Sequence, residues 1–305
     1  MRILVTGGAG FIGSHSVEAL LARGCWVRVL DNLSTGKRAN LVPNGNLEFC
    51  EGDIRDARAV QAACQSVDAV LHLAAQVSVQ ASIATPTDSA SHNVVGFLNV
   101  ADAVRLAGIK RMVYASSAAV YGVPAKLPVE EADVTRPISP YGLEKLINDQ
   151  YAALFSTLYG TAFLGMRYFN VYGPRQDPRS PYAGVISKFV DAALANEPVR
   201  VFGDGLQTRD FVYVKDVARA NVAALTAQCT GVVNIGTGTS VTLLEMVSAL
   251  ESALQRPIAR VFEAPVAGDI QASAVRPQRQ IDELDVRAQT PLAEGLAALI
   301  ASGSA

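Results

Sequence analysis

The 305-residue sequence predicts an α/β fold, in which a doubly wound parallel sheet is followed by a smaller C-terminal α/β lobe. Three observations predict this class. Short apolar segments alternate with helical segments over the first half of the chain. A glycine-rich turn separates the first apolar segment from the first helix, and prolines and glycines interrupt the alternation beyond residue 170. Strands that alternate with helices are typical of parallel sheets covered on both faces.

The first predicted strand, residues 2–5, leads into a glycine-rich turn over residues 6–13. The glycines fit either of two spacings, Gly7-x-x-Gly10-x-x-Gly13 or Gly8-x-Gly10-x-x-Gly13. Such a turn lets the backbone approach a pyrophosphate. The helix that begins at Phe11 and Ile12 then offers its free N–H groups to that anion.

The second predicted strand, residues 26–30, ends at Asp31, about 20 residues beyond the glycines. A carboxylate at this point hydrogen-bonds an adenosine ribose and repels a 2′-phosphate, so NAD is predicted rather than NADP. Strand, glycine turn, helix, strand and acid in this order predict a Rossmann-type domain. The alternative is a glycine turn in some other βαβ unit.

The remaining elements extend this domain. Further strands are predicted at 47–50, 69–73, 111–115 and 163–168, with helices from about 91 to 106 and after residue 140. Residues 1–169 are predicted to be the NAD-binding domain, and a strand at 232–236 suggests that the segment near 210–237 returns to it. Residues 170–305 are expected to form mainly a substrate-binding lobe of short helices and turns over the carboxyl ends of the strands, where ligands bind.

Composition excludes several classes of partner. The net charge is −2 and no basic run is present, which argues against nucleic acid or a membrane surface. No apolar stretch reaches 18 residues, and the apolar N-terminal run breaks at Gly7, so neither a membrane span nor a secretion signal is expected. Four scattered cysteines indicate reduced, mostly buried thiols of a cytoplasmic protein, and three dispersed histidines give no reason to expect a metal site.

The spacing of one tyrosine and one lysine indicates acid–base chemistry. Tyr141 and Lys145 are four residues apart, which places them on one face of a helix. A nearby ammonium favours phenolate, so the tyrosine pKa is expected to fall from about 10 toward neutrality, making Tyr141 an acid or base for a sugar hydroxyl or a ketone. Ser117, at a strand end, is expected to orient the same oxygen. The alternatives are a structural Tyr–Lys pair and a serine that caps the next turn.

These motifs together resemble the nucleotide-sugar epimerase/dehydratase type of the extended short-chain dehydrogenase/reductases, above all the UDP-glucose and UDP-N-acetylglucosamine 4-epimerases. The resemblance covers nearly the whole chain. Beyond the glycine turn and the Tyr–Lys pair, it rests on residues 31–36, 52–54, 72–75, 93–96, 116–122, 167–175 and 203–212.

The resemblance implies that NAD is the cofactor. Asp53 and Ile54 are implied to contact the adenine, Ser34 and Gly36 to lie near its ribose, and Asn93 to lie near the nicotinamide half. The implied cofactor-binding residues are Gly7, Gly10, Phe11, Ile12, Gly13, Asp31, Asn32, Ser34, Gly36, Asp53, Ile54, Leu73, Ala74, Ala75, Asn93, Tyr141, Lys145 and Tyr168.

The resemblance also implies a nucleotide-sugar substrate, with UDP as the expected nucleotide. Asn170 and Arg209 are implied to bind its pyrophosphate, and Val185, Lys188 and residues 201–202 to lie near the nucleotide. The implied substrate-binding residues are Ser78, Ser117, Tyr141, Asn170, Val185, Lys188, Val201, Phe202, Arg209 and Ser273.

The reaction implied is 4-epimerisation through a 4-keto sugar, with Ser117, Tyr141 and Lys145 as the catalytic residues. Related dehydratases and decarboxylases carry a carboxylate just after the serine, where this chain has Ala118 and Ala119. Glu130 and Glu131 lie in a proline-flanked loop and are expected to be solvated. The alternatives are a net NAD-dependent oxidoreductase or dehydratase of a nucleotide sugar and, less favoured, a non-enzymatic NAD-sensing regulator.

Three positions bear on the substrate and the assembly. Val266 stands where relatives have the arginine that binds the substrate pyrophosphate, with Arg276 as a neighbouring candidate to replace it. Ser273 replaces a bulky aromatic residue, so the pocket is expected to admit a 2-N-acetyl group. Helices near 91–106 and 141–158 resemble the pair through which such enzymes form homodimers.

Overall fold

The computed structural model describes residues 1–177, 184–265 and 270–303. Its strands, in chain order, are β1 (Arg2–Thr6), β2 (Trp26–Asp31), β3 (Leu47–Glu51), β4 (Ala69–His72), β5 (Arg111–Ser117), β6 (Ala162–Tyr168), β7 (Asn170–Tyr172), β8 (Val199–Phe202), β9 (Thr208–Tyr213), β10 (Gly231–Ile235), β11 (Ser240–Thr242) and β12 (Arg260–Glu263). The α-helices are α1 (Phe11–Ala22), α2 (Ala57–Ala63), α3 (Val79–Ala84), α4 (Pro86–Ala90), α5 (Gly96–Leu106), α6 (Pro140–Tyr159), α7 (Val185–Leu194), α8 (Val214–Ala224), α9 (Leu243–Leu254), α10 (Gln278–Leu284) and α11 (Leu292–Gly303).

Seven strands form one parallel sheet in the order β10-β6-β5-β4-β1-β2-β3. Both of its faces are covered, which explains why β1 is apolar throughout: Ile3 and Val5 pack into the core on one face, and Leu4 into the core on the other. Helices α1 and α8 cover the first face, and α2, α5 and α6 cover the second. The predicted doubly wound α/β class is confirmed.

The smaller lobe is more regular than expected. The sequence predicted short helices and turns beyond residue 170, but β7, β9 and β11 form a three-stranded sheet, and β8 pairs with β12. Helices α7, α9 and α11 enclose a separate core around Phe189, Met246 and Leu296. Each strand is only three to six residues long, and strands this short lack the alternation that reveals longer ones.

Several local expectations need correction. The helix predicted from about 91 to 106 is present, but its first turn, Ser91–Val95, is π-helical and joins it to α4, so the helical run begins at Pro86. Glu131 is not simply solvated, because its Oε1 accepts a hydrogen bond from the Asn234 N–H at 2.8 Å. Of the four cysteines, all free, only Cys64 is fully buried, and the other three are half-buried.

Within residues 1–177, 184–265 and 270–303, no helix combines the length and the apolar character that crossing a membrane requires.

Candidate active site

The glycine turn between β1 and α1 has room only for glycine. Gly7 has a φ of +69°, and a Cβ there would lie 2.6 Å from the Ala74 nitrogen. A Cβ on Gly13 would lie 2.0 Å from the Gly7 carbonyl oxygen. The helix begins after Gly10 with no side-chain cap and with no acidic residue in its first turn. Its first N–H groups therefore face a position suited to an anion, and the turn fits a dinucleotide pyrophosphate.

Asp31 is fixed beside this turn at the end of β2. Its carboxylate accepts a hydrogen bond from the Ala9 N–H at 2.9 Å and another from the Leu33 N–H at 2.8 Å. The side chain is nearly inaccessible, and these two bonds determine its orientation. Each carboxylate oxygen keeps capacity for a further donor, as the predicted contact with a ribose hydroxyl requires.

A second loop closes over the glycine turn. A Cβ on Gly36 would lie 2.9 Å from the Ala9 carbonyl carbon, so the loop packs directly on the turn. Asn32 donates from Nδ2 to Asp53 at 3.0 Å and accepts from the Ser34 N–H at 3.1 Å. Hydrogen bonds from Arg55 hold the Asp53 pKa well below its usual range. The predicted adenine-side residues are thus gathered at one edge of the sheet.

The loop that follows β4 completes the cofactor side. Ala74 donates its N–H to the Thr6 hydroxyl at 3.3 Å, which holds residues 73–75 against the end of β1. Ile54 is buried beneath this edge, where its side chain packs against Gly96.

The Tyr–Lys pair lies at the start of α6. The Ser139 hydroxyl caps the helix by accepting the Gly142 N–H at 3.1 Å, and Pro140 occupies the first turn. The Lys145 ammonium nitrogen lies 5.7 Å from the centre of the Tyr141 ring and donates to the Ala115 carbonyl at 3.0 Å. The pair therefore meets β5 close to Ser117.

The predicted fall of the Tyr141 pKa is not found in the protein without bound ligands. Burial raises the pKa of this hydroxyl, a hydrogen bond with Ser117 lowers it, and the negative charge of Glu144 raises it again. Burial also lowers the Lys145 pKa to about 8, with Asp149 and Glu144 opposing the fall. Desolvation outweighs the Ser117 hydrogen bond, so the pKa of the Tyr141 hydroxyl lies above its ordinary value.

Ser117 combines both of the expected roles. Its side-chain oxygen accepts the Ala119 N–H at 3.1 Å, which caps the short 3₁₀ helix Ala118–Tyr121. The same side chain hydrogen-bonds Tyr141. The structural alternative and the functional one are therefore compatible.

Three other predicted site residues are already engaged within the protein. The Asn93 amide bonds to Gln76 and Glu144. The Ser78 hydroxyl caps α3 by accepting the Ala81 N–H at 2.9 Å. The Tyr168 hydroxyl donates to Asn221 at 2.7 Å. Each position also has this structural explanation, and contact with a ligand stays a prediction.

The predicted substrate residues lie on several elements of the smaller lobe. Asn170 opens β7, and its Nδ2 donates to the Asp210 carbonyl of neighbouring β9 at 3.2 Å; Arg209 precedes Asp210 on that strand. Val185 and Lys188 lie on the first turn of α7. Ser273 donates its N–H to the Thr208 carbonyl at 3.1 Å, which places it beside β9.

Val201 and Phe202 differ. Val201 is fully buried in the lobe's core, whereas Phe202 is 41% exposed, and contact of either residue with a ligand stays a prediction. Phe202 lines an open cavity of about 410 Å³ together with Gly203, Asp204, Gln207, Glu263, Pro265 and Gln271. Gln207 is buried, and its Oε1 has no hydrogen-bond partner among the described residues.

The proposed pyrophosphate arginine position, Val266, lies outside the described residues. Arg276, suggested as the replacement for the pyrophosphate arginine, forms an ion pair with Glu130 at 2.8 Å. Both line a different cavity, of about 320 Å³, with Glu131 and α10. The side chain of Arg276 does not line the cavity beside Phe202.

Comparison with known proteins identifies the family. Residues 3–236 match the family described as "NAD dependent epimerase/dehydratase family". The chain belongs to this family. It is 40% identical to a protein named UDP-glucose 4-epimerase of Mycolicibacterium smegmatis over 303 residues, covering 97% of this chain and 96% of the relative. The resemblance inferred from the sequence is confirmed.

Two solved structures of the epimerase/dehydratase family extend the comparison. The UDP-N-acetylglucosamine 4-epimerase from Methanobrevibacter ruminantium M1, in complex with UDP-N-acetylmuramic acid, has a TM-score of 0.96 and 36% identity and covers 99% of this chain and 98% of its own. The UDP-glucose 4-epimerase from Thermus thermophilus, in complex with NAD, has a TM-score of 0.92 and 40% identity and covers 99% and 98%.

Sequence reasoning missed a set of buried polar residues beneath the Tyr–Lys pair. Ser82 accepts the Tyr141 N–H at 3.1 Å, and Ser89 donates to Glu144 at 2.8 Å. One signal was available: Glu144 lies between the two catalytic residues, and Ser89 and Asn93 are four residues apart, as expected for one helical face.

Proposed function

We propose that this protein is an NAD-dependent 4-epimerase of UDP-linked hexoses that works through a 4-keto intermediate. The observation that carries the proposal is the meeting of Ser117, Tyr141 and Lys145 beside a glycine turn shaped for a dinucleotide. Members of the same family named UDP-glucose 4-epimerase and UDP-N-acetylglucosamine 4-epimerase share nearly the full length of this chain.

The residues divide the chemistry as follows. Tyr141 takes the proton of the sugar 4-hydroxyl and returns it, and Ser117 holds the same oxygen. Lys145, anchored on the Ala115 carbonyl, keeps a positive charge next to the tyrosine ring. The glycine turn and Asp31 would hold NAD, which would supply a hydride acceptor and donor for C4 of the sugar. The cofactor is therefore unchanged over a cycle.

The position of the acidic residues speaks against a dehydratase. Ala118 and Ala119 follow Ser117 and carry no acid. Glu131 is bonded to the Asn234 backbone and Glu130 to Arg276, both on the side of the second cavity. Neither carboxylate is placed to act at C5 or C6 beside Tyr141.

The test is to incubate the purified protein with UDP-galactose and to follow the configuration at C4 by NMR. We expect UDP-glucose to form without net accumulation of NADH. Stoichiometric NADH would instead identify a net oxidoreductase. A loss of the hexose 6-hydroxyl signals would identify a dehydratase.

We further propose that the site accepts 2-N-acetylated sugars, because position 273 carries a small serine beside β9. Ser273→Tyr should lower the turnover of UDP-N-acetylglucosamine much more than that of UDP-glucose. Ser240→Ala, which alters the hydroxyl that bonds the Ser273 carbonyl, serves as a neighbouring control. Equal losses on both sugars in Ser273→Tyr would show that this position does not gate the pocket.

A homodimer is the assembly we propose. Helix α6 carries an exposed apolar row, Leu143, Tyr151, Leu154 and Leu158, at spacings that place these residues along one side of the helix, and Leu106 is exposed on neighbouring α5. A second copy of the chain would cover this row if α5 and α6 of one subunit packed against α5 and α6 of the other. We expect the wild type to sediment as a dimer and the Leu154→Glu variant to sediment as a monomer. An unchanged sedimentation coefficient in the variant would exclude this face.

The four free thiols suit the reducing cytoplasm, which is where we propose that the enzyme works.

A further inference from the structure

Glu144 is a buried carboxylate in the catalytic helix. It lies on α6 between Tyr141 and Lys145 and is 4% exposed. Its Oε2 accepts two hydrogen bonds, from the Ser89 hydroxyl at 2.8 Å and from the Asn93 amide at 2.6 Å. Over the part of the chain that the structure describes, no cationic side chain forms an ion pair with it. A buried carboxylate without a cationic partner is costly for the fold unless hydrogen bonds satisfy it, as the Ser89 and Asn93 donors do here.

The donors to Glu144 come from a specialised stretch of helix. Ser89 lies on α4 and Asn93 in the π-helical turn that follows, and the wider turn brings both to the same carboxylate oxygen. Insertions of this kind interrupt the regular hydrogen-bond ladder and are frequent at functional sites. Asn93 and Ser89 therefore hold Glu144 in one place.

The same hydrogen bonds reach the cofactor loop. Asn93 donates to the Gln76 carbonyl at 2.8 Å and accepts the Gln76 N–H at 2.9 Å. The Gln76 side chain donates to Ser89 at 3.1 Å, which closes a ring of bonds around Glu144. Gln76 directly follows residues 73–75, so the carboxylate connects the catalytic helix to the loop predicted to line NAD.

The charge of Glu144 acts on both members of the catalytic pair in the same direction. A carboxylate disfavours phenolate and favours ammonium, and it raises the pKa of Tyr141 and of Lys145. The other ionisable groups that face the pair are Asp149 on α6, Arg167 on β6 and His72 on β4. Asp149 is paired with Arg167 at 3.0 Å, and His72 is neutral because burial lowers its pKa to about 3. Asp149 and Glu144 both raise the Lys145 pKa, but of the two only Glu144 also raises the Tyr141 pKa and lacks an ion-pair partner among the described residues.

We propose that Glu144 is a positioning residue of the reaction: anchored by Ser89 and Asn93, it fixes the catalytic helix against the cofactor loop and places a negative charge beside Tyr141 and Lys145. This inference rests on the proposed function, in which those two residues exchange the proton of the sugar. Glu144 itself touches neither the sugar nor the reacting atoms.

The test is Glu144→Gln in the NAD-loaded enzyme. Glutamine keeps the length of the side chain and an oxygen for the two donors, so it removes the charge with little change in shape. Since the charge raises both pKa values, both limbs of the kcat/KM profile should move to lower pH, by about one unit. Asp88→Asn is the matched control: it removes an exposed carboxylate on α4, next to Ser89, and should leave both limbs in place.

A second readout follows the tyrosine directly. The near-ultraviolet absorbance of the phenolate, titrated against pH in Glu144→Gln and in Glu144→Gln/Tyr141→Phe, isolates the Tyr141 midpoint by difference. This midpoint should lie below that of the wild type, obtained in the same way with Tyr141→Phe. A lower kcat with both limbs and the phenolate midpoint unmoved overturns the proposal, because it is the result of a purely structural role.

Two further outcomes can be distinguished: a Glu144→Gln variant that does not fold, and a wild-type protein that does not interconvert UDP-sugars. If Glu144→Gln does not fold, Ser89→Ala decides, since it removes one donor and keeps the charge. The Tyr141 midpoint must then stay or rise, and a fall overturns the proposal. A wild-type protein that binds NAD but interconverts no UDP-sugar refutes the proposed function, whereas the phenolate titration needs no substrate and still tests Glu144.

Discussion

The cofactor side and the substrate lobe achieve their geometry by different means. On the cofactor side, backbone contacts fix the site: a glycine turn that tolerates no Cβ, the buried Asp31 and a capped catalytic helix. In the smaller lobe, the expected contacts are side chains on short strands, and Phe202 is substantially exposed. The predicted cofactor site is thus fixed largely by the backbone, while the predicted substrate site relies on side chains of the smaller lobe.

The largest expected effect is on the cofactor side. Tyr141→Phe should lower kcat by about 100-fold or more, because general acid–base groups contribute roughly 10²–10⁴-fold. Steady-state turnover of UDP-galactose measures this, and Tyr151→Phe, on the exposed side of the same helix, is the control. Near-normal turnover of Tyr141→Phe would refute the assigned role.

The substrate lobe is tested next, at Val266, where the family resemblance implies an arginine. Val266→Arg should tighten UDP binding by about 10- to 150-fold, since a hydrogen bond to a charged group contributes roughly 1.5–3 kcal/mol. Arg276→Ala should change little, because Arg276 is held by Glu130. Titration calorimetry with UDP separates the two residues. If Arg276→Ala weakens binding and Val266→Arg adds nothing, Arg276 has replaced the missing arginine.

A smaller effect is expected from the packing of the glycine turn. In Gly13→Ala the new Cβ would meet the Gly7 carbonyl at 2.0 Å, so the turn must open. We expect NAD affinity to fall by about tenfold, with a stability loss of roughly 1–3 kcal/mol. Gly45→Ala, where a Cβ meets nothing within 4 Å, is the control for fluorescence titration of NADH and for thermal unfolding. Unchanged affinity in Gly13→Ala would show that the turn tolerates a side chain.

The same contrast determines what the sequence could predict. The glycine turn, Asp31 and the positions of the first six strands along the chain were predictable, because buried parallel strands are apolar throughout and the turn permits few residue types. The sheets of the smaller lobe were not, because strands of three or four residues leave no periodic pattern. The candidate catalytic residues Tyr141 and Lys145 were recognised by their spacing, and their roles stay predictions. The direction of the Tyr141 pKa shift was missed, since it depends chiefly on burial of the hydroxyl, which the sequence does not show.

The return of β10 to the edge of the large sheet has a consequence for how the protein is made. Strand β6 is complete at Tyr168, but its outer neighbour, β10, arrives only with residues 231–235, after the chain has passed through the smaller lobe. While the polypeptide is still emerging from the ribosome, the edge of β6 is unpaired, and unpaired edges invite association with other chains. The large sheet is therefore completed only after much of the smaller lobe has been synthesised. A fragment that stops after residue 169 would lack β10 and would leave the edge of β6 unpaired.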